Sequence, residues 1–111
     1  DIVFIHIEAP DEASHSGNAE MKKMAIEQVD KHIVGPVLEA LQKYESWQIL
    51  VMPDHPPPVR TCGHSAEPVP FAMAGDSVSG ILHTTFGETN AAKSGFRIEN
   101  GFELMEYFLK S

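Results

Sequence analysis

The chain has 111 residues, of which 42% are hydrophobic and 22% are charged, and its formal net charge is −8. This composition is typical of a soluble globular protein, and we expect residues 1–111 to lie in one domain. The negative charge argues against a nucleic-acid partner, because a phosphate backbone would be repelled. No apolar run reaches the length of about 18 residues that indicates a membrane helix. The single cysteine, Cys62, excludes an internal disulfide and favours a cytoplasmic location.

The sequence begins inside an apolar run, IVFIHI at Ile2–Ile7, with no methionine before it. We therefore expect a fragment or a processed chain. The run is almost continuously apolar and does not alternate, which is typical of a strand covered on both faces, as in a parallel sheet flanked by helices. We interpret the next stretch, APDEASHSGNAE at residues 9–20, as a loop after this strand.

A helix is predicted from Asn18 to about His32, because Asn18 is a good N-cap and apolar residues follow at helical spacing. We expect Met21 and Met24 to fill the core on the apolar face of this helix. Pro36 follows Gly35 and interrupts the pattern, since proline lacks a donor and clashes with the preceding turn. Residues 18–44 are thus either one kinked helix or two helices.

Two further strands and two further helices are predicted in the rest of the chain. WQILVM at 47–52 is a second buried strand, and strand, helix and strand in this order favour a right-handed parallel crossover. Residues 53–70 contain six prolines and form a long loop, and FAMAG at 71–75 is a short third strand. Helices are predicted at 88–94 and 101–109. The fold class is α/β.

Acidic and imidazole side chains follow the first two predicted strands. Asp11 and His15 come just after the first strand, Asp54 and His55 just after the second, and His64 lies further along the same loop. In open α/β sheets, ligands bind where the loops after the strands converge. Imidazole nitrogen and carboxylate oxygen are ligands of divalent transition metals, and five such groups exceed the need of one tetrahedral site. We therefore expect these residues to bind two metal ions, which can clamp a phosphoryl group.

Each of these residues also has an explanation that involves no metal. Asp11 would stabilise a turn or cap a helix, and the Asp54-His55 pair beside proline would form a turn. His64 would be a solvated loop histidine. The metal interpretation depends on the five side chains occurring together.

The segments EAPDEASHSGNAEMKKMAIEQVDKHIVGPVLEAL, ILVMPDHPPPVRTCGHSAEPVPF and FELMEYFL carry a family resemblance. In this order and at these separations they resemble the C-terminal part of the archaeal-type cofactor-independent (2,3-bisphosphoglycerate-independent) phosphoglycerate mutases, which belong to the alkaline phosphatase superfamily. The resemblance covers nearly the whole chain. It implies that this chain is part of an alkaline-phosphatase-like, mostly parallel sheet flanked by helices, and about the last quarter of such an enzyme.

The resemblance also implies a ligand set. Asp11, His15 and His64 match the three protein ligands of one metal, and Asp54 and His55 match two ligands of the second. The remaining ligands in the family are an aspartate near the N-terminus and the nucleophilic serine. Neither has a match in this sequence, so no catalytic residue is assigned here and we expect the 111-residue chain alone to be inactive.

The resemblance implies that the parent enzyme interconverts 3-phosphoglycerate and 2-phosphoglycerate, which is a step of glycolysis. It also implies that the reaction passes through a phosphoserine at a site with two divalent metal ions, which are manganese, zinc or magnesium. Two alternatives stay open: another phosphatase, phosphodiesterase or phosphomutase of the superfamily, and a metal-binding module without chemistry. We also expect an unpaired sheet edge in the isolated chain, which favours self-association.

Overall fold

The computed structural model describes residues 1–54, 68–81 and 85–111. The described residues fall into two compact units, one within Asp1–Glu39 and the other within Ala40–Asp54 and Pro68–Ser111. Both contain helices, and the second also contains a two-stranded sheet, so the α/β class is confirmed at this level. In the described part of the chain, no helix combines the length and the apolar character needed to cross a membrane.

The first unit begins its regular structure with helix α1, Ala9–His15. The interpretation of residues 9–20 as a loop is therefore wrong over α1. The helix ends at Gly17, which has a left-handed φ of 75°. The Gly17 N–H donates to Ser14 O and the Asn18 N–H to Ala13 O, which together form a Schellman motif. Because Gly17 lacks a Cβ, it adopts this conformation at little cost and α1 stops there.

Helix α2, Ala19–Val29, starts at the predicted N-cap, because Asn18 Oδ1 accepts a hydrogen bond of 3.0 Å from the Met21 N–H. The helix continues through a π turn, Asp30–Val34, into helix α3, Gly35–Leu41. In the π turn the Gly35 N–H donates to Asp30 O. The structure thus selects one of the two alternatives for this region, a single helical stretch that accommodates Pro36 with a π turn just before it.

The second unit contains the two strands β1, Gln48–Val51, and β2, Ala72–Gly75, which confirms their prediction from sequence. They pair antiparallel with Gln48 opposite Gly75 and Val51 opposite Ala72. A Cβ on Gly75 would lie 2.6 Å from Trp47 O, so only glycine fits there. A parallel sheet is not formed among the described residues, since β1 has β2 as its partner and no preceding strand pairs with it.

The C-terminal helices belong to the same unit as this sheet. They are α4, Glu88–Lys93, a short 3-10 turn, Gly101–Glu103, and α5, Leu104–Lys110, close to the predicted bounds. Leu104 is buried, and the Phe96 ring contacts both Phe71, with centroids 6.0 Å apart, and Tyr107, with centroids 5.3 Å apart. The Phe96 ring therefore links the residue before β2 to α5 through aromatic contacts.

Two expectations about apolar residues are wrong in this structure. Ile2–Ile7 is not a strand, and Val3 and Phe4 are 81% and 74% exposed. The physical reason is that a strand needs a neighbour for its backbone hydrogen bonds, and no described strand pairs with this run. Met21 and Met24 do not fill a core either, since both are exposed on α2.

We expect Gly17→Ala to lower the free energy of unfolding of the 111-residue chain by about 1 kcal/mol, because alanine resists a positive φ. Urea unfolding followed by far-UV circular dichroism measures the change. Gly101→Ala is the matched control, since a Cβ there meets no atom within 4 Å and φ is not positive. Equal midpoints for the two variants would show that the Gly17 turn does not limit stability.

Candidate metal centre

Asp11 and His15 lie one turn apart on the same face of α1. His15 Nε2 is 3.3 Å from Asp11 Oδ1, and the two side chains are 42% and 37% exposed, respectively. The spacing D-x-x-x-H brings them together because residues i and i+4 are neighbours on a helix with 3.6 residues per turn. One nitrogen and one oxygen donor thus lie side by side in the first unit, and the Asp11 Oδ1 atom itself is buried although part of its side chain is exposed.

The opposite face of α1 explains why the pair faces outward. Ala13 and Ser14 are buried where α1 packs against α2. Ser14 is fully buried, and its hydroxyl donates a hydrogen bond of 2.9 Å to Pro10 O. This back-bond satisfies the buried hydroxyl within the helix. The packing of α1 on α2 therefore fixes the direction in which Asp11 and His15 point.

The separation of the two donor atoms fits binding to one divalent ion. Zinc-ligand bonds of about 2.0–2.2 Å at tetrahedral or octahedral angles put neighbouring donors about 3.0–3.5 Å apart. The distance of 3.3 Å between Asp11 Oδ1 and His15 Nε2 lies within this range. Both side chains are partly exposed, while the Asp11 Oδ1 atom itself is buried. The residues present therefore fit a metal ion of the kind predicted from sequence.

The same contact also has the geometry of an ordinary i,i+4 pair. Asp11 lies in the first turn of α1 and His15 in the last, positions where a carboxylate and a protonated imidazole suit the helix dipole. Such exposed pairs contribute only about 0.3–0.5 kcal/mol to stability. The geometry of this pair fits either role, and metal binding requires further ligands from other residues.

The other predicted ligands are only partly covered by the structure. Asp54 is described: it lies three residues after β1, in the second unit, and is exposed. His55 and His64 lie outside the described residues. Within residues 1–54, 68–81 and 85–111, no group of three or more His, Cys, Asp or Glu side chains is arranged to hold a metal ion. The convergence of the five residues stays a prediction, and sequence reasoning missed no larger ligand cluster in the described ranges.

Comparison with known proteins shows which family model and which relatives the chain matches. The sequence model of the Metalloenzyme superfamily matches residues 1–109. The chain is 43% identical over 110 residues to a 2,3-bisphosphoglycerate-independent phosphoglycerate mutase of Methanothrix thermoacetophila, covering 98% of this chain and 28% of that protein. A probable mutase of the same kind from Geobacter sulfurreducens gives the same identity and coverage.

A more distant relative shows the same pattern. A mutase of Methanocaldococcus jannaschii is 35% identical over 109 residues, which are 98% of this chain and 26% of the relative. The chain thus spans about a quarter of the length of these curated relatives. No solved structure matches it significantly. Because the family model matches nearly every residue, the chain belongs to the Metalloenzyme superfamily.

Proposed function

We propose that this chain is the C-terminal part of a 2,3-bisphosphoglycerate-independent phosphoglycerate mutase, and that it supplies ligands for two divalent metal ions. The proposal rests on the match of residues 1–109 to a metalloenzyme superfamily, and the Asp11 and His15 donor pair at 3.3 Å agrees with it. Relatives with this activity in their names match 98% of the chain. The activity would place the protein in the cytoplasm with the other steps of glycolysis.

The proposed ligands divide between the two ions. Asp11, His15 and His64 would hold one ion, and Asp54 and His55 would contribute two ligands to the other. Carboxylates and neutral imidazoles bind manganese, zinc and, through oxygen, magnesium, so the donor set agrees with the expected metals. When bound, the metals would act as Lewis acids that lower the pKa of a serine nucleophile and neutralise charge on the phosphoryl oxygens.

The residues of this chain would hold the metal ions in place and would not form a covalent bond to the substrate. Asp11 and His15 stand on a helix whose end is fixed by Gly17 and whose buried face rests on α2. A rigid element of this kind holds ligands more precisely than a loop does. The formal charge of −8 would repel phosphoglycerate, an anion, and the metal ions would supply the compensating positive charge. The nucleophilic serine and the residues that select the substrate are proposed to lie in the rest of the enzyme.

We expect the 111-residue chain to bind one manganese or zinc ion with three protein ligands and a second ion much more weakly, with two. Isothermal titration at neutral pH measures both sites. Asp11→Asn should lower the metal affinity of the stronger site by at least about 10- to 100-fold, because loss of a residue that only orients a metal ligand already has an effect of this size. In metal-free buffer the same variant should change the free energy of unfolding by less than about 0.5 kcal/mol, because the ion pair is exposed.

His32→Ala is the matched control for this titration, since His32 is an exposed histidine of the π turn. Its affinity should equal that of the unsubstituted chain. Two tight sites, or a stronger site that survives Asp11→Asn, would contradict the assignment of ligands. A stability loss well above 0.5 kcal/mol without any change in affinity would favour the capping role of Asp11.

We expect the 111-residue chain with manganese to show no turnover of 3-phosphoglycerate, because the proposed nucleophile lies elsewhere. The longer polypeptide that contains it should interconvert 3- and 2-phosphoglycerate without added bisphosphoglycerate. In that polypeptide His15→Ala should lower kcat/KM by at least about 100-fold, and His32→Ala should leave it unchanged. A coupled enolase assay measures all four proteins. Turnover by the short chain, or an active His15→Ala enzyme, would count against the proposal.

A further inference from the structure

The chain contains three asparagines, and one of them, Asn100, precedes a glycine. Asn18 and Asn90 are each followed by alanine. An asparagine side chain loses its amide when the backbone nitrogen of the next residue attacks its Cγ atom. Glycine in that next position favours the attack, because it has no Cβ to block the approach and its backbone rotates freely. The sequence therefore favours Asn100 over the other two asparagines as a site of this reaction.

The attacking backbone nitrogens also differ in their surroundings. Asn90 lies within α4, where the Ala91 N–H donates a hydrogen bond of 2.9 Å to Gly87 O. The side chain of Asn18 is held by its capping hydrogen bond at the start of α2. Gly101 is exposed, and a Cβ built on it would meet no atom within 4 Å. Its N–H has no hydrogen-bond acceptor among the residues that the structure describes. Of the three nitrogens, that of Gly101 is therefore the most accessible for attack.

The conformation of Asn100 is restrained by Glu103. Asn100 Nδ2 donates a hydrogen bond of 3.1 Å to Glu103 Oε1, and Asn100 O accepts one of 2.9 Å from the Glu103 N–H. The Asn100 backbone is extended with a ψ of 114°, so the Gly101 nitrogen must rotate about the Asn100 Cα–C bond before it reaches Cγ. The backbone hydrogen bond opposes this rotation and the side-chain hydrogen bond holds the amide away. Glu103 therefore slows the attack.

We propose that Asn100-Gly101 is a site of spontaneous deamidation whose rate is restrained by Glu103. The Gly101 nitrogen loses its proton to solvent and bonds to Asn100 Cγ, the bond from Cγ to Nδ2 breaks, and Nδ2 takes up a proton and leaves as ammonia. Water then opens the cyclic imide. Cleavage between Cγ and the Gly101 nitrogen leaves an aspartate, whereas cleavage between the main-chain carbonyl carbon and that nitrogen leaves an isoaspartate.

Both products change the segment that leads into α5. Each places a second carboxylate at position 100, where the Asn100 amide now donates to Glu103, so a hydrogen bond is replaced by repulsion between like charges. The isoaspartate also lengthens the main chain by a methylene group just before the 3-10 turn Gly101–Glu103. Leu104, the buried first residue of α5, follows that turn directly. The modification therefore weakens the attachment of α5 at its N-terminal end.

Peptide mass spectrometry measures the conversion at each asparagine, because trypsin cleavage after lysine and arginine places the three in different peptides. During incubation of the 111-residue chain at mildly alkaline pH, Asn100 should convert at least about 10-fold faster than Asn18 or Asn90, to a mixture of aspartate and isoaspartate. Gly101→Ala should slow the conversion of Asn100 by at least about 10-fold. The fold tolerates this substitution, because a Cβ there has open space and φ is not positive.

Glu103→Ala tests the restraint, since it removes the side-chain acceptor of the Asn100 amide. In buffer this variant should deamidate about 2- to 10-fold faster than the unsubstituted chain, which is the range that corresponds to the loss of one hydrogen bond. Glu103→Gln is the matched control, because its side-chain oxygen still accepts a hydrogen bond, and its rate should stay within about 2-fold of the unsubstituted chain. In concentrated urea all three proteins should convert at the same rate, since the contact is absent there.

Three results would overturn the inference. The first is a rate at Asn100 no higher than the rates at Asn18 and Asn90. The second is a Gly101→Ala chain that converts as fast as the unsubstituted one. The third is a Glu103→Ala chain that is not accelerated in buffer, or that is accelerated equally in buffer and in urea, because the folded contact would then have no part in setting the rate.

Discussion

The arrangement of the candidate site depends on the short turn between α1 and α2. Gly17 ends α1 with a left-handed residue, and Asn18 then caps α2, so two consecutive residues close one helix and open the next. This turn lets α1 bury Ala13 and Ser14 against α2. Asp11 and His15 lie one turn apart on α1 with their donor atoms 3.3 Å from each other. Two candidate metal ligands are thus held by backbone geometry and not by a flexible loop.

Local chemistry explains which parts of the fold could be predicted from sequence. The N-cap at Asn18, the strands β1 and β2 and the helix α4 were specified by residues within a few positions of each element. The pairing of β1 was not, because strand direction depends on a partner far along the chain, and β2 lies antiparallel to it. The prediction of a loop at residues 9–20 is wrong over α1, because Pro10 is tolerated in the first turn of a helix.

As with the fold, only the local part of the candidate site could be predicted from sequence. The spacing of Asp11 and His15 requires nothing beyond helical periodicity, and the structure brings this pair together. The meeting of that pair with Asp54, His55 and His64 depends on how separate segments of the chain are arranged, which local patterns do not specify. The exposure of Ile2–Ile5 has a related cause. An apolar sequence pattern can indicate that a strand should be covered, but it does not indicate which part of the protein covers it.

In the proposed enzyme this chain contributes five ligands to a pair of divalent metal ions. A crystal structure of the longer enzyme grown with manganese, with anomalous difference maps at the manganese edge, is the most direct test. We predict two peaks about 4 Å apart, one beside Asp11, His15 and His64 and the other beside Asp54 and His55. Manganese peaks that lie away from Asp11 and His15, with this pair engaged only in its own ion pair, would contradict it.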